Sequence, residues 1–225
     1  MATSNTFKNS PVLTASQNSS SAPSVFDKGL LRGSVGLTVI SLLGFGFLYS
    51  LAGVGVGQAL FPHTANGSLI ERDGKVVGSA LVAQPFTSDR YFYPRPSAAG
   101  YNTMALAGSN QARTNPDMRK RLDETRANIA QREGVAPSAV PGDLITQSGS
   151  GIDPHISEAG AEIQLARVAR VRGLSRETVA DLVAQHTQAR QLGLLGQPRV
   201  NVLELNLALD ALTTTSTERA STGAP

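Results

Sequence analysis

The chain has 225 residues, 40% hydrophobic and 16% charged, with no Cys, no Trp and a formal net charge of +3. The absence of Cys excludes a disulfide framework and thiolate metal sites. Of the net charge, +2 falls in residues 1–32 (Lys8, Lys28 and Arg32 against Asp27), so the rest lacks the basic stripe of a nucleic-acid-binding surface.

Residues 1–24 are rich in Ser, Asn, Thr and Ala without periodicity, and residues 1–27 read as a disordered cytoplasmic tail. From Gly33 to Phe61 there are 29 residues and no charge. About 20 helical residues cross a hydrocarbon core of about 30 Å, so this run predicts a membrane anchor helix within residues 28–62. A cleaved signal peptide fits less well, because its apolar region is about 7–15 residues long and lies close to a basic chain start. Lys28 and Arg32 precede the run, and the first basic side chain after it is Arg72. The positive-inside rule then puts the N-terminus in the cytoplasm and residues 63–225 outside. The run is glycine-rich. Gly46, Ser50, Gly53 and Gly57 share one helical face in small-xxx-small spacing, which lets a second helix approach closely in lipid.

Residues 63–212 read as a small α+β extracytoplasmic domain, with a sheet early and helices late. Asp73-Gly74 predicts a hairpin between strands at about Ser68–Glu71 and Lys75–Val82. The stretch from Gln84 to Asn102 holds Phe86, Tyr91, Phe92, Tyr93, Pro94 and Pro96, and reads as looped chain pinned to the core by its aromatics. Asn115-Pro116 caps a helix ended by Gly134, with a thin apolar face of Met118, Leu122 and Ile129. Ser157 caps a helix running to Arg172 and ended by Gly173. Ser175 caps another through about Thr187. Asn201 with Glu204 three residues on predicts a last helix to about Leu212. Residues 213–225 read as a second disordered tail. Arg167, Arg170 and Arg172, with Glu158 and Glu162, read as a solvated helix face with i,i+4 pairs.

Few constellations point to chemistry. No GxxxxGK[ST] occurs, so no P-loop. Gln147-Ser148-Gly149-Ser150-Gly151 is a Gly/Ser loop with free amides and hydroxyls but no basic side chain, more often a turn than an anion cradle. Gly149 is the position where a positive φ would make glycine necessary. Ser150 has glycines directly on both sides, which is not the Gly-x-Ser-x-Gly elbow, and Asp153-Pro154 reads as a turn leading to His155. His63, His155 and His186 share no metal-ligand spacing, so no metal and no catalytic residue is assigned.

Six strings nevertheless read together: GSALVAQPF at 78–86, YFYPRPSAAGYN at 91–102, GSN at 108–110, QSGSGIDPHIS at 147–157, QLARVARVRGLS at 164–175 and QPRVNVLELNLALD at 197–210. In this order, after one N-terminal span, they resemble the C subunit of the Kdp potassium-transporting ATPase, over about Leu30–Leu212. The long N-terminal tail departs from the family's pattern. The resemblance implies a non-catalytic subunit of a bacterial plasma-membrane complex. Its partners would be a channel-like potassium-translocating subunit, a P-type ATPase subunit and a small single-span subunit. It implies a catalytic chaperone that raises the ATP affinity of the ATPase subunit, with the loop at Gln147, Ser148, Gly149, Ser150 and Gly151, followed by Asp153 and His155, likened to a nucleotide-contacting signature. With residues 63–225 outside, that coupling would run through the span or be indirect. ATP and potassium would act at the level of the complex, and no cofactor is assigned to this chain. Two other readings stay open: a membrane-tethered extracytoplasmic hydrolase using Ser150 or His155, and an anchored binding protein.

Overall fold

The computed structural model describes residues 28–222, so the expected tail over residues 1–27 lies outside the described residues. The chain divides into two units, at Met1–Ala59 and Leu60–Pro225.

The first unit is helical throughout its described part. Helix α1 (Lys28–Ser41) passes into a π-helical segment (Leu42–Leu48) and then into α2 (Tyr49–Leu60). Gly29–Leu60 is 32 residues long and apolar enough to cross a membrane. None of that stretch's large apolar side chains is buried within the chain. The sequence reading gave no sign of the π segment, in which the Tyr49 N–H donates to the Gly44 carbonyl five residues back. Glycines at 44 and 46 lack the side chains that hold the tighter turn in register, and so permit the wider one.

The second unit opens with α3 (Pro62–Ala65) and the antiparallel hairpin of β1 (Leu69–Arg72) and β2 (Lys75–Ser79). Its turn is the expected Asp73-Gly74, both residues at positive φ (52° and 71°). A long loop leads to α4 (Pro116–Glu133), where Asn115 Oδ1 accepts the Asp117 N–H at 2.8 Å and Gly134 closes the helix at φ 68°. A 3-10 turn (Pro137–Ala139), α5 (Gly142–Ile145) and β3 (His155–Ile156) follow. The helix expected from Ser157 to Arg172 is two helices, α6 (Glu158–Glu162) and α7 (Leu165–Arg172). The break falls at Ile163-Gln164 because the Gln164 side chain is committed elsewhere: it accepts the Tyr93 N–H at 2.8 Å and donates to the Gly160 carbonyl at 3.0 Å. Helix α8 (Arg176–Gln185) stops short of Thr187, which belongs to β4 (Thr187–Gln188).

After β5 (Arg199–Asn201), Asn201 Oδ1 accepts the Glu204 N–H at 3.2 Å and opens α9 (Val202–Thr222). That helix continues past Leu212 into the stretch expected as a tail. Residues 213–222 contain no Gly or Pro, and Gly223 is the first breaker. Strands β3, β5 and β4 form a three-stranded antiparallel sheet in that order. The domain is therefore mixed, as expected, but its second sheet is late in the chain, which corrects the order of sheet early and helices late.

The core gathers Phe92, Ile156, Leu165, Val168, Val179, Val200, Leu205 and Leu209 from the long loop, β3, α7, α8, β5 and α9. The expected solvated arginine face of α7 is a correction in two of its three positions. Arg170 is exposed, but Arg167 and Arg172 are buried. Arg167 pairs through Nε with Glu133 at 2.9 Å and through Nη1 with the Asp89 and Tyr91 carbonyls at 2.6 and 2.9 Å. Arg172 donates from Nε to the Arg90 carbonyl at 2.7 Å and from Nη2 to Asp210 at 2.8 Å. Glu162 pairs with Arg176 of α8 instead.

Candidate functional site

The loop from Gln147 to Ser157 is held by the segment from Tyr91 to Asn102, so two of the sequence's distinctive strings meet in space. Ser148 is buried, and its N–H donates to the Pro96 carbonyl at 3.1 Å. Ser97 Oγ donates to the Gly151 carbonyl at 2.5 Å and accepts the Ala99 and Tyr101 N–H groups. The Ile152 carbonyl accepts the Ala83 N–H at 2.9 Å, and the Pro154 carbonyl accepts the Val202 N–H at 3.0 Å. A further string joins at Gly108, where an added Cβ would lie 2.9 Å from the Gly149 carbonyl oxygen.

The glycine requirement falls on a different residue from the expected one. Gly149 does not hold a positive φ, and a Cβ there would meet nothing within 4 Å. Gly151 holds φ 78°, and a Cβ there would lie 2.8 Å from the Ala107 carbonyl and 2.9 Å from Ala99 Cβ. Position 151 is therefore closed to other residues by both conformation and space.

Asp153 makes the turn that was expected of it. Its Oδ1 accepts the His155 N–H at 3.0 Å, and its Oδ2 pairs with Arg95 Nη1 at 2.7 Å. Burial opposes its ionisation. The His155 side chain, the His155 N–H and Arg95 outweigh that and lower the carboxyl to about 2. Tyr101 O–H donates to the Arg95 carbonyl at 2.9 Å, and burial pushes that phenol up. Ser157 caps α6 by accepting the Gly160 N–H at 2.9 Å, while its own N–H and Oγ donate to Asp143 at 2.7 and 3.0 Å.

Arg95, Ser97, Tyr101 and Asp143 were not singled out in the sequence. The first three lie in the YFYPRPSAAGYN string, which is the signal that could have found them. Beside the loop is a cleft of about 400 Å³ lined by Arg95, Asp143, Asp153, His155 and Arg199.

Ser150 and His155, the residues of the hydrolase reading, have separate partners. Ser150 Oγ accepts the Ile152 N–H at 3.2 Å. His155 directs Nδ1 toward Asp153, 3.6 Å away. No hydrogen bond joins Ser150 to His155 among the described residues, so a nucleophile–base pair is not assembled. Gln147 is half-buried, with its Oε1 shielded and accepting no hydrogen bond among the described residues. In the Gly29–Leu60 helix, added Cβ atoms at Gly46 and Gly53 would meet nothing within 4 Å among the described residues.

The family described as KdpC, the c chain of K+-transporting ATPase, matches residues 31–211. The chain belongs to the KdpC family. It is 61% identical over 192 residues to the potassium-transporting ATPase KdpC subunit of Xanthomonas oryzae pv. oryzae (strain MAFF 311018), covering 85% of this chain and 91% of that one. The KdpC subunit of Xanthomonas axonopodis pv. citri (strain 306) is 61% identical over 185 residues, covering 82% and 90%. That of Gemmatimonas aurantiaca (strain DSM 14586 / JCM 11422 / NBRC 100505 / T-27) is 52% identical over 189 residues, covering 83% and 94%. The matched region takes in all six strings, including the loop and the segment that holds it.

Proposed function

We propose that this chain is the accessory KdpC subunit of an ATP-driven potassium uptake complex, anchored by the Gly29–Leu60 helix with its N-terminus in the cytoplasm and its folded domain outside. The observation that carries the reading is the family match over residues 31–211. The flanking charges Lys28 and Arg32 support the orientation. The partners are the channel-like potassium-translocating subunit, the P-type ATPase subunit and the small single-span subunit. Gly46, Ser50, Gly53 and Gly57 are the helix face on which a partner span packs.

The subunit is non-catalytic in this reading. Ser150 and His155 are each engaged locally, and the charges around Asp153 are paired within the domain. It raises the ATP affinity of the ATPase subunit without touching nucleotide, because a coupling free energy between distant sites needs no contact. The loop from Gln147 to His155 then serves folding and docking.

Gentle detergent extraction of the tagged full chain from potassium-starved cells tests the assembly. Co-purification of a channel-like subunit and a P-type ATPase subunit is expected. Recovery of the chain alone, with its fold intact, would contradict it. Nucleotide affinity of the complex with and without this subunit tests the chaperone role, and equal affinities would remove it.

A further inference from the structure

The hairpin between β4 and β5 ends in a tip that the domain does not cover. Leu192, Leu194 and Leu195 are 90%, 81% and 60% exposed. Their presentation is built into the backbone. Gln191 and Leu195 exchange N–H···O bonds, each of 2.9 Å, and Leu192, Gly193 and Gly196 hold φ values of 53°, 74° and 78°. Arg190 Nη2 donates across the base of the tip to Gln197 Oε1 at 2.9 Å. The tip's backbone is thus tied to itself, and its leucines point away from the domain core.

The hairpin's own charges have one sign. From Gln188 to Asn201 the only ionisable side chains are Arg190 and Arg199. Arg190 and Gly193 line a cleft of about 440 Å³ beside the tip, with Glu158 of α6 at the same cleft. Apolar side chains flanked by arginine match the two layers of a phospholipid surface, an acyl boundary and a phosphate layer.

We propose that the Arg190–Gln197 tip is a phospholipid contact, in which Leu192, Leu194 and Leu195 enter the acyl boundary and Arg190 meets headgroup phosphate. The proposal rests on reading Gly29–Leu60 as a membrane span. Leu60 and Leu69, the first residue of β1, are close in sequence, so the domain is tethered by a short connection to a bilayer.

The chain has no Cys, so one introduced thiol takes a label alone. The full chain carrying Leu194→Cys and an environment-sensitive fluorophore is reconstituted in vesicles of phosphatidylethanolamine with about one quarter phosphatidylglycerol. Met104→Cys, at a residue 92% exposed in another loop, is the reference. Flotation with the vesicles reports on the span separately, and a chain that stays behind overturns the anchor reading and this proposal with it.

In floated chain, the label at 194 should shift to the blue and be quenched by nitroxide-bearing lipid, with neither effect at 104. Adding Leu192→Ser and Leu195→Ser should abolish both effects, and Arg190→Gln should weaken the quenching. An emission at 194 matching that at 104 overturns the proposal. So does a blue shift without lipid quenching, which would put the tip in an apolar protein site such as a second copy. Quenching unchanged by Arg190→Gln overturns the phosphate contact.

Discussion

The segment from Tyr91 to Pro96 and the tip from Arg190 to Gln197 are both irregular chain, yet one is buried or half-buried and the other exposed. The first carries three aromatics and two prolines and lies across α7 and α9. The second carries three leucines, all exposed. Apolar content alone does not separate them. The difference is that buried backbone needs partners, and the first segment has them. Asn206 donates to the Phe92 carbonyl at 3.0 Å and accepts its N–H at 2.8 Å. Gln164 does the same for Tyr93, and Arg167 and Arg172 take the carbonyls of Asp89, Arg90 and Tyr91. Two amide side chains and two guanidiniums stand where a neighbouring strand would. The tip satisfies its own backbone and gains nothing polar from packing down.

The sharpest way to break this contrast is Arg167→Ala. It leaves Glu133 buried with one fewer cationic partner and frees two loop carbonyls, so chemical unfolding of the domain should show a loss of about 3–5 kcal/mol. Asn206→Leu replaces the amide with a bulkier apolar group and strands the Phe92 N–H and carbonyl, and should cost about 1–3 kcal/mol in the same measurement. A comparable cost, about 1–3 kcal/mol, is expected for Gly151→Ala, whose residue holds φ 78° against the Ala107 carbonyl. Gly149→Ala, two residues away, should fall within about 0.5 kcal/mol. Reversed costs at 149 and 151 would refute the geometry of the loop.

Asp153→Ala should cost about 1 kcal/mol, after allowance for partial exposure of the pair with Arg95. Its folded carboxyl lies at about 2 against an ordinary 3.8. The stabilisation is therefore present above pH 3.8 and lost as pH falls through about 2. Unfolding followed from neutral to strongly acidic pH should show a shallower acid limb in the variant. An effect as small as that at Gly149 is expected at the tip. Leu194→Ser should move domain stability in solution by less than about 0.5 kcal/mol, because that leucine makes no buried contact.

Sequence reading reached the features that local chemistry writes. Asn115, Ser157, Ser175 and Asn201 cap the helices expected of them, and Gly134 and Gly173 close theirs in the left-handed conformation. Asp73-Gly74 turns the hairpin. What escaped was written at long range. Arg167 and Arg172 carry ordinary i,i+4 signals, but their partners are loop carbonyls and acids far along the chain. Strands of two and three residues offer no alternation to read. Gly149 and Gly151 are equivalent in the sequence, and only the fold distinguishes them, through the positive φ of Gly151 and the approach of Ala99 and Ala107. Most residues of the candidate loop were legible as a string, and Arg95 and Ser97 lie in another, but nothing local says that the two strings meet, and Asp143 lies in none.

The central claim is that this loop is scaffold and that the chain does no chemistry of its own. ATPase turnover of the purified complex, with potassium titrated, tests it through Ser150→Ala, which removes a hydroxyl whose contact is the Ile152 N–H. Turnover and potassium dependence close to those of the unaltered complex are expected. A loss of orders of magnitude, with assembly and fold intact, would contradict the account and restore Ser150 as a reacting group.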